Sequence, residues 1–260
     1  MTSSADSRPP IAPLTHEGWE VEVVPESAST NAELAERFRA GAGERLALAA
    51  QHQTAGRGRL GRDWVVTPGS SLTVSFLLEP DVEARRWTWL PLLTGVATAR
   101  AVTAATGLGA RLKWPNDVLV DDAKVGGILL ERVEREGHAA AVVGVGLNVL
   151  QTREELPVET ATSLALAGVA ADRTTLLAAL LRELDTAYDA WLRGEDLRAA
   201  YLGLCSTLGR AVRVTVPGGV VEGEAVDVDA DGRIVVRTAA GEEHLGAGDV
   251  VHVRPAGGTI

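Results

Sequence analysis

The run AAAVVGVGLNV, residues 139–149, constrains the fold more than any other stretch of this chain. Its nearly continuous apolar character is typical of a buried strand at the centre of a sheet. Gly144 and Gly146 interrupt it, and glycines inside a strand indicate that another chain segment or a ligand approaches the backbone closely. We therefore expect this run to form a central strand of the fold.

Apolar periodicity and turn residues predict the elements around that strand. A capping box formed by Thr30 and Glu33 opens a helix that ends at Gly41. After the turn at 121–123, a strand over 124–133 is expected to form a hairpin with its predecessor. The remaining predicted elements are strands over 45–51, 71–78, 111–114 and 118–120 and helices over 91–106, 174–193 and 195–204.

The sequence changes character after residue 206. Short strands are predicted at intervals of about ten residues, separated by Pro-Gly-Gly, Asp-Gly and Ala-Gly turns, a pattern typical of a small β-barrel. These strands cover residues 210–216, 220–229, 233–238 and 249–254. We therefore expect three parts: a flexible leader over 1–16, a main domain over 17–206 and a terminal barrel over 207–260.

The charge balance excludes some functions. A net charge of −10 and a pI near 5.0 argue against broad binding to nucleic acid or membrane surfaces, which requires a basic face. The single Cys205 excludes an intrachain disulfide and a cysteine-based zinc cluster. The N-terminus lacks the apolar segment of a signal peptide, and no apolar run reaches the ~18 residues of a membrane span. We expect a cytoplasmic protein without a membrane partner.

Positive charge is concentrated in GRGRLGRDW, residues 56–64. Its glycines let the backbone approach a ligand, and the forked guanidinium groups of Arg57, Arg59 and Arg62 can grip carboxylate or phosphate oxygens. Such a loop could order itself around an anionic ligand. The alternatives are a solvated basic turn or a nucleic-acid contact, which this stretch alone does not exclude.

Two further stretches combine lysine with residues that shape a binding corner. In KWPNDV, residues 113–118, the proline ends a strand at a rigid corner that presents Asn116 and Asp117, while Lys113 projects from the strand itself. Lysine supplies a point charge that binds phosphate, and an aspartate can coordinate Mg²⁺ or pair with an amine. In KVGGIL, residues 124–129, Lys124 precedes two glycines that leave bare backbone for a ligand. A plain Asn-Asp turn and a β-bulge are the respective structural alternatives.

Taken in this order, the motifs resemble the catalytic core of the biotin-protein ligases. The resemblance is strong over about residues 20–150 and extends to the terminal barrel in type and position. It implies an α+β fold: a mixed β-sheet with helices packed against it, as in class II synthetases and the biotin/lipoate ligase catalytic domain, followed by a small SH3-like β-barrel. The matching motifs are SerThrAsn at 29–31, Gln53, GRGRLGRDW, KWPNDV, KVGGIL and GVGLNV at 144–149.

The resemblance also implies the site residues. Thr30 is expected to face biotin as well as to cap the helix; if it does only one, Ser29 takes the ligand. The implied biotin-binding residues are Ser29, Thr30, Gln53, Gly56, Arg57, Arg59, Lys124 and Gly127. The implied ATP- or adenylate-binding residues are Arg57, Arg59, Arg62, Trp64, Lys113, Asn116, Asn148 and Arg254. Lys113, Arg59, Lys124 and Asp117 are implied as catalytic, with Asp117 also a candidate Mg²⁺ ligand and no firm metal site.

The implied reaction has two steps and needs no nucleophile from the enzyme. Biotin and MgATP form biotinyl-5′-AMP, and a lysine of a biotin carboxyl carrier protein or domain of a biotin-dependent carboxylase then takes the biotinyl group. Positioning and preorganised positive charge suffice for such chemistry. Fewer than about twenty residues precede the core, too few for a DNA-binding domain, so we expect no repressor activity and no DNA partner.

Three alternatives stay open at this point. A lipoate-protein ligase would share the fold and the use of ATP. An inactive biotin-binding regulator would keep the pocket without turnover. A nucleic-acid-binding module is disfavoured by the net charge and by an aromatic content of only 4%.

Overall fold

The computed structural model describes residues 8–253. The strands of the main sheet are β1 (Glu20–Ser27), β2 (Leu46–Gln53), β5 (Ser71–Leu78), β6 (Ala110–Lys113), β7 (Asp117–Val120), β8 (Ala123–Arg135) and β9 (His138–Asn148), and the short pair is β3 (Gly56–Arg57) and β4 (Asp63–Trp64). The helices are α1 (Thr30–Arg39), α2 (Leu90–Thr106), α3 (Arg173–Leu192) and α4 (Arg198–Leu204). The C-terminal strands are β10 (Ala211–Val216), β11 (Gly219–Val228), β12 (Ile234–Thr238), β13 (Gly241–Leu245) and β14 (Asp249–His252).

The main sheet has seven strands in the order β1-β2-β5-β9-β8-β7-β6. Only β1 and β2 run parallel, and all the other neighbours are antiparallel. The run that the sequence placed at the centre is β9, which lies between β5 and β8. The predicted mixed sheet with helices against it is therefore confirmed.

Helices cover both faces of the sheet. On one face, Leu34 and Phe38 of α1 pack on Leu48, Leu77 and Val142 of the strands. On the other face, α2 and α3 pack against each other and against the sheet in a larger apolar cluster. Every residue of β5 is buried, because that strand is covered on both sides. The site described below opens on the face that carries α1, beyond the start of that helix.

The C-terminal strands form a five-stranded antiparallel sheet in the order β13-β12-β11-β10-β14, in agreement with the predicted small β domain. Two tryptophans of the main domain donate indole hydrogen bonds to it: Trp114 Nε1 to Gly232 O at 3.0 Å and Trp89 Nε1 to Ala230 O at 2.6 Å. The exact boundary near residue 206 stays a prediction. The sequence missed β13, because GEEHL has no apolar alternation and its side chains are almost all exposed.

Two local predictions are wrong, and one strand was missed. The helix expected over 195–204 begins only at Arg198, whose backbone N–H donates to the Asp196 carboxylate. The leader expected to be loose is packed where it is described: Ile11 is buried, and its backbone exchanges hydrogen bonds with the Gln51 side chain. The edge strand β1 was not predicted, and Pro25 lies within it, because an edge strand tolerates a missing backbone N–H.

A third wrong prediction concerns the start of α1. Ser29, not Thr30, is the N-cap residue, and its hydroxyl accepts a hydrogen bond from the Ala32 N–H. The Glu33 carboxylate accepts from the Ser27 hydroxyl and from Arg37. The predicted capping box is therefore absent, and the Thr30 side chain is available for contacts other than capping the helix.

Across residues 8–253, none of the helices has both the length and the apolar composition needed to cross a bilayer.

Candidate active site

A cavity of about 500 Å³ lies between the start of α1, the β3–β4 loop, the corner after β6 and the first residues of β14. Its volume falls within the range of ~300–1,000 Å³ that is usual for small-molecule sites. It brings together most of the residues predicted from the sequence. They are Ser29, Thr30, Gln53, Arg57, Arg59, Arg62, Trp64, Lys113, Asn116, Asp117, Lys124, Gly127 and Asn148.

The strand register explains why distant motifs meet here. Lys113 pairs with Asp117 across β6 and β7, Asp117 with Gly127 across β7 and β8, and Gly127 with Gly146 across β8 and β9. Directly opposed residues of antiparallel strands present their side chains on the same face. The two glycines in the middle of this row leave a groove, with the charged pair at one end of it.

A second lysine joins this charged pair, so two lysines share the carboxylate of Asp117. Lys124 Nζ lies 2.6 Å from Asp117 Oδ1, and Lys113 Nζ lies 3.9 Å from Asp117 Oδ2. All three side chains are at most about one-third exposed, so water screens them less than it screens surface pairs. Because one carboxylate cannot neutralise two ammonium groups, the corner carries a net positive charge.

The glycine-arginine loop closes the cavity from above. Gly56 pairs with Trp64 and Arg57 with Asp63, so β3 and β4 form the base of a small hairpin. At its tip, Leu60 adopts a left-handed conformation with φ of 58° and is 72% exposed. The tip of the loop therefore faces solvent above the cavity.

Arg59 is the arginine of this loop that points inward. Its Nη1 donates to Asn116 Oδ1 at 3.0 Å and to the Gly248 carbonyl at 3.4 Å. Burial lowers the pKa of Arg59, while the Asp117 and Asp249 carboxylates act in the opposite direction. The guanidinium stays charged, because arginine is not deprotonated in proteins. Arg59 is thus a partly desolvated cation that an anionic ligand would stabilise.

The cavity is locally positive in an acidic chain. Among its described lining residues, five side chains are cationic and three are anionic. The cations are Arg57, Arg59, Arg62, Lys113 and Lys124, and the anions are Asp63, Asp117 and Asp249. Such a site favours a small ligand that carries negative charge.

Trp64 covers the glycine row. A Cβ atom on Gly146 would lie 2.5 Å from Trp64 Cε2, so the indole ring rests directly on the backbone of β9. Lys124 Nζ lies 6.0 Å from the ring centroid, at the limit of a cation–π contact. The buried indole Nε1 has no hydrogen-bond partner within the described part of the chain. Trp64 is therefore a wall of the cavity with an unused donor.

A polar network forms the base of the cavity. Gln53 Oε1 accepts from the Thr30 backbone N–H at 3.0 Å and lies 3.1 Å from the Thr30 hydroxyl, which also contacts Ser75 Oγ at 2.7 Å. Ser75 was not predicted as a site residue. The sequence carries a signal for it, since SLTVSFLL alternates polar and apolar residues although the whole strand is buried. Polar side chains on one face of a buried strand indicate a hydrogen-bonded network.

Some predicted residues are engaged within the protein. Asn116 Nδ2 donates to the Ile128 carbonyl at 3.0 Å while its Oδ1 accepts from Arg59, so this side chain joins the loop to β8. Asn148 Nδ2 donates to the Thr162 carbonyl, and its Oδ1 accepts from Gln151. Gly56 does not line the cavity, but a Cβ there would lie 2.4 Å from Gln53 Nε2. Arg254 lies outside the described residues.

The donor set does not fit a metal ion held by the protein. No group of three or more His, Cys, Asp or Glu residues between 8 and 253 is arranged to hold one. Asp117 is the predicted candidate, and both of its oxygens face lysine ammonium groups. Mg²⁺ usually needs one or two free carboxylates in addition to substrate phosphates.

Family models match both parts of the chain. Residues 23–148 match the biotin/lipoate A/B protein ligase family, and residues 207–253 match the biotin protein ligase C-terminal domain. These two segments hold the main sheet and the small C-terminal sheet respectively.

Individual relatives are similar over most of their length. A biotin-[acetyl-CoA-carboxylase] ligase of Mycobacterium tuberculosis is 41% identical over 91% of this chain and 91% of the relative. The bifunctional ligase/repressor BirA of Escherichia coli is 32% identical over 85% of this chain and 70% of its own length. The match to BirA of Bacillus subtilis is 30% identical and spans 65% of that protein.

The fold agrees with these matches. The structure of a biotin protein ligase from Aquifex aeolicus in complex with biotin and ATP aligns with a TM-score of 0.78 and 29% identity. The alignment covers 90% of this chain and 99% of that one.

Proposed function

Because the chain belongs to the biotin/lipoate A/B protein ligase family, we propose that it is an ATP-dependent biotin-protein ligase. It activates biotin as biotinyl-5′-AMP and transfers the biotinyl group to a lysine of an acceptor protein. The observation that carries this proposal is the pair of lysines held on Asp117 beside a glycine-floored groove, under a loop that contributes three arginines. That arrangement suits a small anionic substrate with phosphate groups.

The first step joins biotin to the nucleotide. A biotin carboxylate oxygen attacks the α-phosphorus of ATP, the bond from that phosphorus to the bridging oxygen breaks, and pyrophosphate leaves. Two anions must come together, so the main demand on the protein is fixed positive charge. Lys113 and Lys124 supply it from the sheet, and Arg59 supplies it from the loop, each held in place by a neighbouring residue before the ligand arrives.

The second step releases AMP. The acceptor amine attacks the acyl carbon of the mixed anhydride, the bond to the phosphate oxygen breaks, and the amine loses a proton as the amide forms. Neither step uses a nucleophile of the enzyme. Arg57 and Arg62 on the loop and Trp64 beneath it would shield the anhydride from water during the interval between the two steps.

In this proposal Thr30 and Gln53 bind the ureido head of biotin at the base of the cavity, beside Gly127. Ser29 caps α1, which favours Thr30 over Ser29 for the ligand contact. Asp117 orients the two lysines, and Asn116 orients Arg59. Asn148 stays an untested prediction for the adenylate, and so does Arg254.

Mg²⁺ enters this proposal with ATP, where it would neutralise phosphate charge. The residues described between 8 and 253 do not form a carboxylate site for it. The acceptor is a carrier domain of a biotin-dependent carboxylase, in keeping with the name of the mycobacterial relative. A cytoplasmic location, where ATP is available, stays a prediction.

One experiment tests the proposal directly. A carrier domain is incubated with the protein and MgATP, with biotin or lipoate supplied in separate reactions, and its intact mass is measured. A gain of one biotinyl group on a single lysine, absent without ATP and absent with lipoate, is expected. A gain with lipoate alone would establish the alternative ligase, and biotin binding without any gain would point to a regulator.

A further inference from the structure

A chain of hydrogen bonds runs along the base of the cavity, from the partly buried Glu131 to the buried Thr30. Asn31 Nδ2 donates to Glu131 Oε2 at 2.8 Å and to the Leu129 carbonyl at 3.3 Å. Ser75 Oγ donates to Asn31 Oδ1 at 2.6 Å and lies 2.7 Å from Thr30 Oγ1. The chain therefore joins β8, α1 and β5 at one point.

The direction of each hydrogen bond follows from the donors that are present. Both hydrogens of the Asn31 amide are engaged on β8, so its oxygen must face Ser75. Ser75 has a single hydrogen, which it gives to Asn31, and it can then only accept from Thr30. The Thr30 hydroxyl hydrogen is directed at Ser75 and shared with Gln53 Oε1 at 3.1 Å.

The direction of these hydrogen bonds determines which donor and which acceptor remain available to a ligand. With its only hydrogen taken, Thr30 Oγ1 can act only as an acceptor towards the cavity. Gln53 lines the cavity, and its Oε1 accepts from the Thr30 N–H. The remaining hydrogen-bonding atom of its amide is therefore Nε2, a donor that lies next to the Gly56 backbone. An acceptor and a donor side by side match a head group with an N–H next to a carbonyl, as in a cyclic urea.

The residues of this hydrogen-bond chain are buried and closely packed. Ser75 is fully buried, Thr30 is 3% exposed and Asn31 is 5% exposed, so an unsatisfied group in the chain would be destabilising. A Cβ on Gly144 would lie 2.3 Å from Asn31 Oδ1, so glycine at this position of β9 makes room for the amide. Leu34 and Phe38, further along α1, pack on the same face of the sheet in an apolar cluster.

We propose that Ser75 and Asn31 are positioning residues. Through the hydrogen-bond chain that starts at Glu131, they fix the direction of the hydrogen bonds of Thr30 and Gln53, and this direction selects the cyclic urea head group of the substrate. The inference rests on the proposed function. Ser75 does not line the cavity, and it acts only through Thr30. Lipoate, whose dithiolane ring has neither N–H nor carbonyl, would leave the fixed donor and acceptor unpaired.

The test compares the Ser75→Ala variant of the 260-residue chain with Ser70→Ala as its matched control. Ser70 is equally buried, its hydroxyl donates one hydrogen bond of 2.7 Å to the Thr67 carbonyl, and it does not line the cavity. Pyrophosphate release is followed at varied biotin and at varied ATP. We expect Ser75→Ala to raise the KM for biotin about tenfold, the loss of one good hydrogen bond, while the KM for ATP changes less than about twofold. Ser70→Ala should leave both KM values unchanged.

A second readout separates selection from general destabilisation. Biotin analogues methylated on either ureido nitrogen cannot give that N–H to Thr30. The wild-type chain should discriminate against at least one of them, and Ser75→Ala should narrow that KM ratio by about fivefold. A merely structural defect would lower kcat through a smaller active fraction and leave the ratio as it was.

Three outcomes would overturn the inference or its premise. A folded Ser75→Ala chain with the biotin KM of the Ser70→Ala control overturns the inference alone. A wild-type chain that releases no pyrophosphate with biotin overturns the proposed function and the inference with it. If Ser75→Ala does not fold, Ser75→Cys serves instead, because a thiol fills similar space but is a weaker hydrogen-bond partner; an unchanged biotin KM there counts against the inference.

Discussion

Arg59 of the glycine-arginine loop donates a hydrogen bond to Asn116 of the corner after β6, across a sequence separation of 57 residues. The same guanidinium reaches the Gly248 carbonyl just before β14. One loop residue thus contacts both the main sheet and the C-terminal domain. The loop is held over the cavity by groups that belong to two different parts of the chain.

Arg59→Ala should shorten the lifetime of the bound adenylate. The substitution removes a partly desolvated cation and both of its contacts, so we expect the adenylate to dissociate about tenfold faster, as for the loss of one charge-assisted hydrogen bond. Dissociation can be measured by chasing labelled adenylate with an excess of unlabelled compound. Arg100→Ala, an exposed arginine of α2, is the control. An unaltered rate would rule out the loop as a lid.

Lys113→Ala should abolish adenylate formation without unfolding the chain. We expect pyrophosphate release to fall at least about a hundredfold, as when a preorganised charge-stabilising group is removed. Arg111→Ala on the same strand is the control, because Arg111 is exposed and does not line the cavity. Circular dichroism would verify the fold of both variants. If Lys113→Ala releases pyrophosphate at the rate of the wild type, this lysine is not required.

Gly146→Ala should displace Trp64 from the groove. The new Cβ would lie 2.5 Å from Trp64 Cε2, so either the indole moves or β9 shifts. We expect a loss of about 1–3 kcal/mol of stability from overpacking and weaker nucleotide binding. Calorimetric titration with ATP and urea unfolding measure the two effects. Gly109→Ala is the control, since nothing lies within 4 Å of a Cβ there. Unchanged ATP affinity would exclude Trp64 from the nucleotide site.

His252 should make the native state acid-sensitive. Burial, followed by the charges of Lys113 and Arg210, lowers the pKa of His252 to about 4. The unfolded chain binds the proton near pH 6.5, so the contribution of this residue to stability is fully present above that pH and declines as pH falls towards about 4. His252→Gln should therefore lose less unfolding free energy than the wild type between about pH 7 and pH 5.

Urea unfolding at the two pH values measures that difference. His138→Gln removes an exposed histidine from the start of β9 and is the control for the general effect of losing a histidine. If His252→Gln and His138→Gln show the same pH dependence, His252 makes no such contribution.

Local patterns in the sequence were enough for most elements and for the motifs of the site. The apolar run at 139–149 predicted the central strand, because covered strands have a nearly continuous apolar pattern. The strand β5, whose first residues alternate polar and apolar side chains, was predicted with its exact bounds. The polar edge elements β1 and β13 escaped prediction. Their formation depends on pairing with a neighbouring strand, which single-sequence patterns do not contain.

The sequence by itself determined which chemical groups this protein brings to its site: the arginines of the loop, Lys113, Lys124, Asp117, Thr30 and Gln53. Their spacing along the chain also indicated the family. Only the tertiary structure decided what each group faces. It placed Gly146 beneath Trp64 and made Ser29, not Thr30, the helix cap. It also put Ser75 behind Thr30.

The physical reason is that a hydrogen bond has a direction and a partner, and both are set by strand register. Ser75 lies beside Gly144 because β5 pairs with β9 in one register, and a shift of one residue would turn Ser75 to the opposite face. Residue identity specifies donors and acceptors. The fold alone specifies which of them remain available to a ligand.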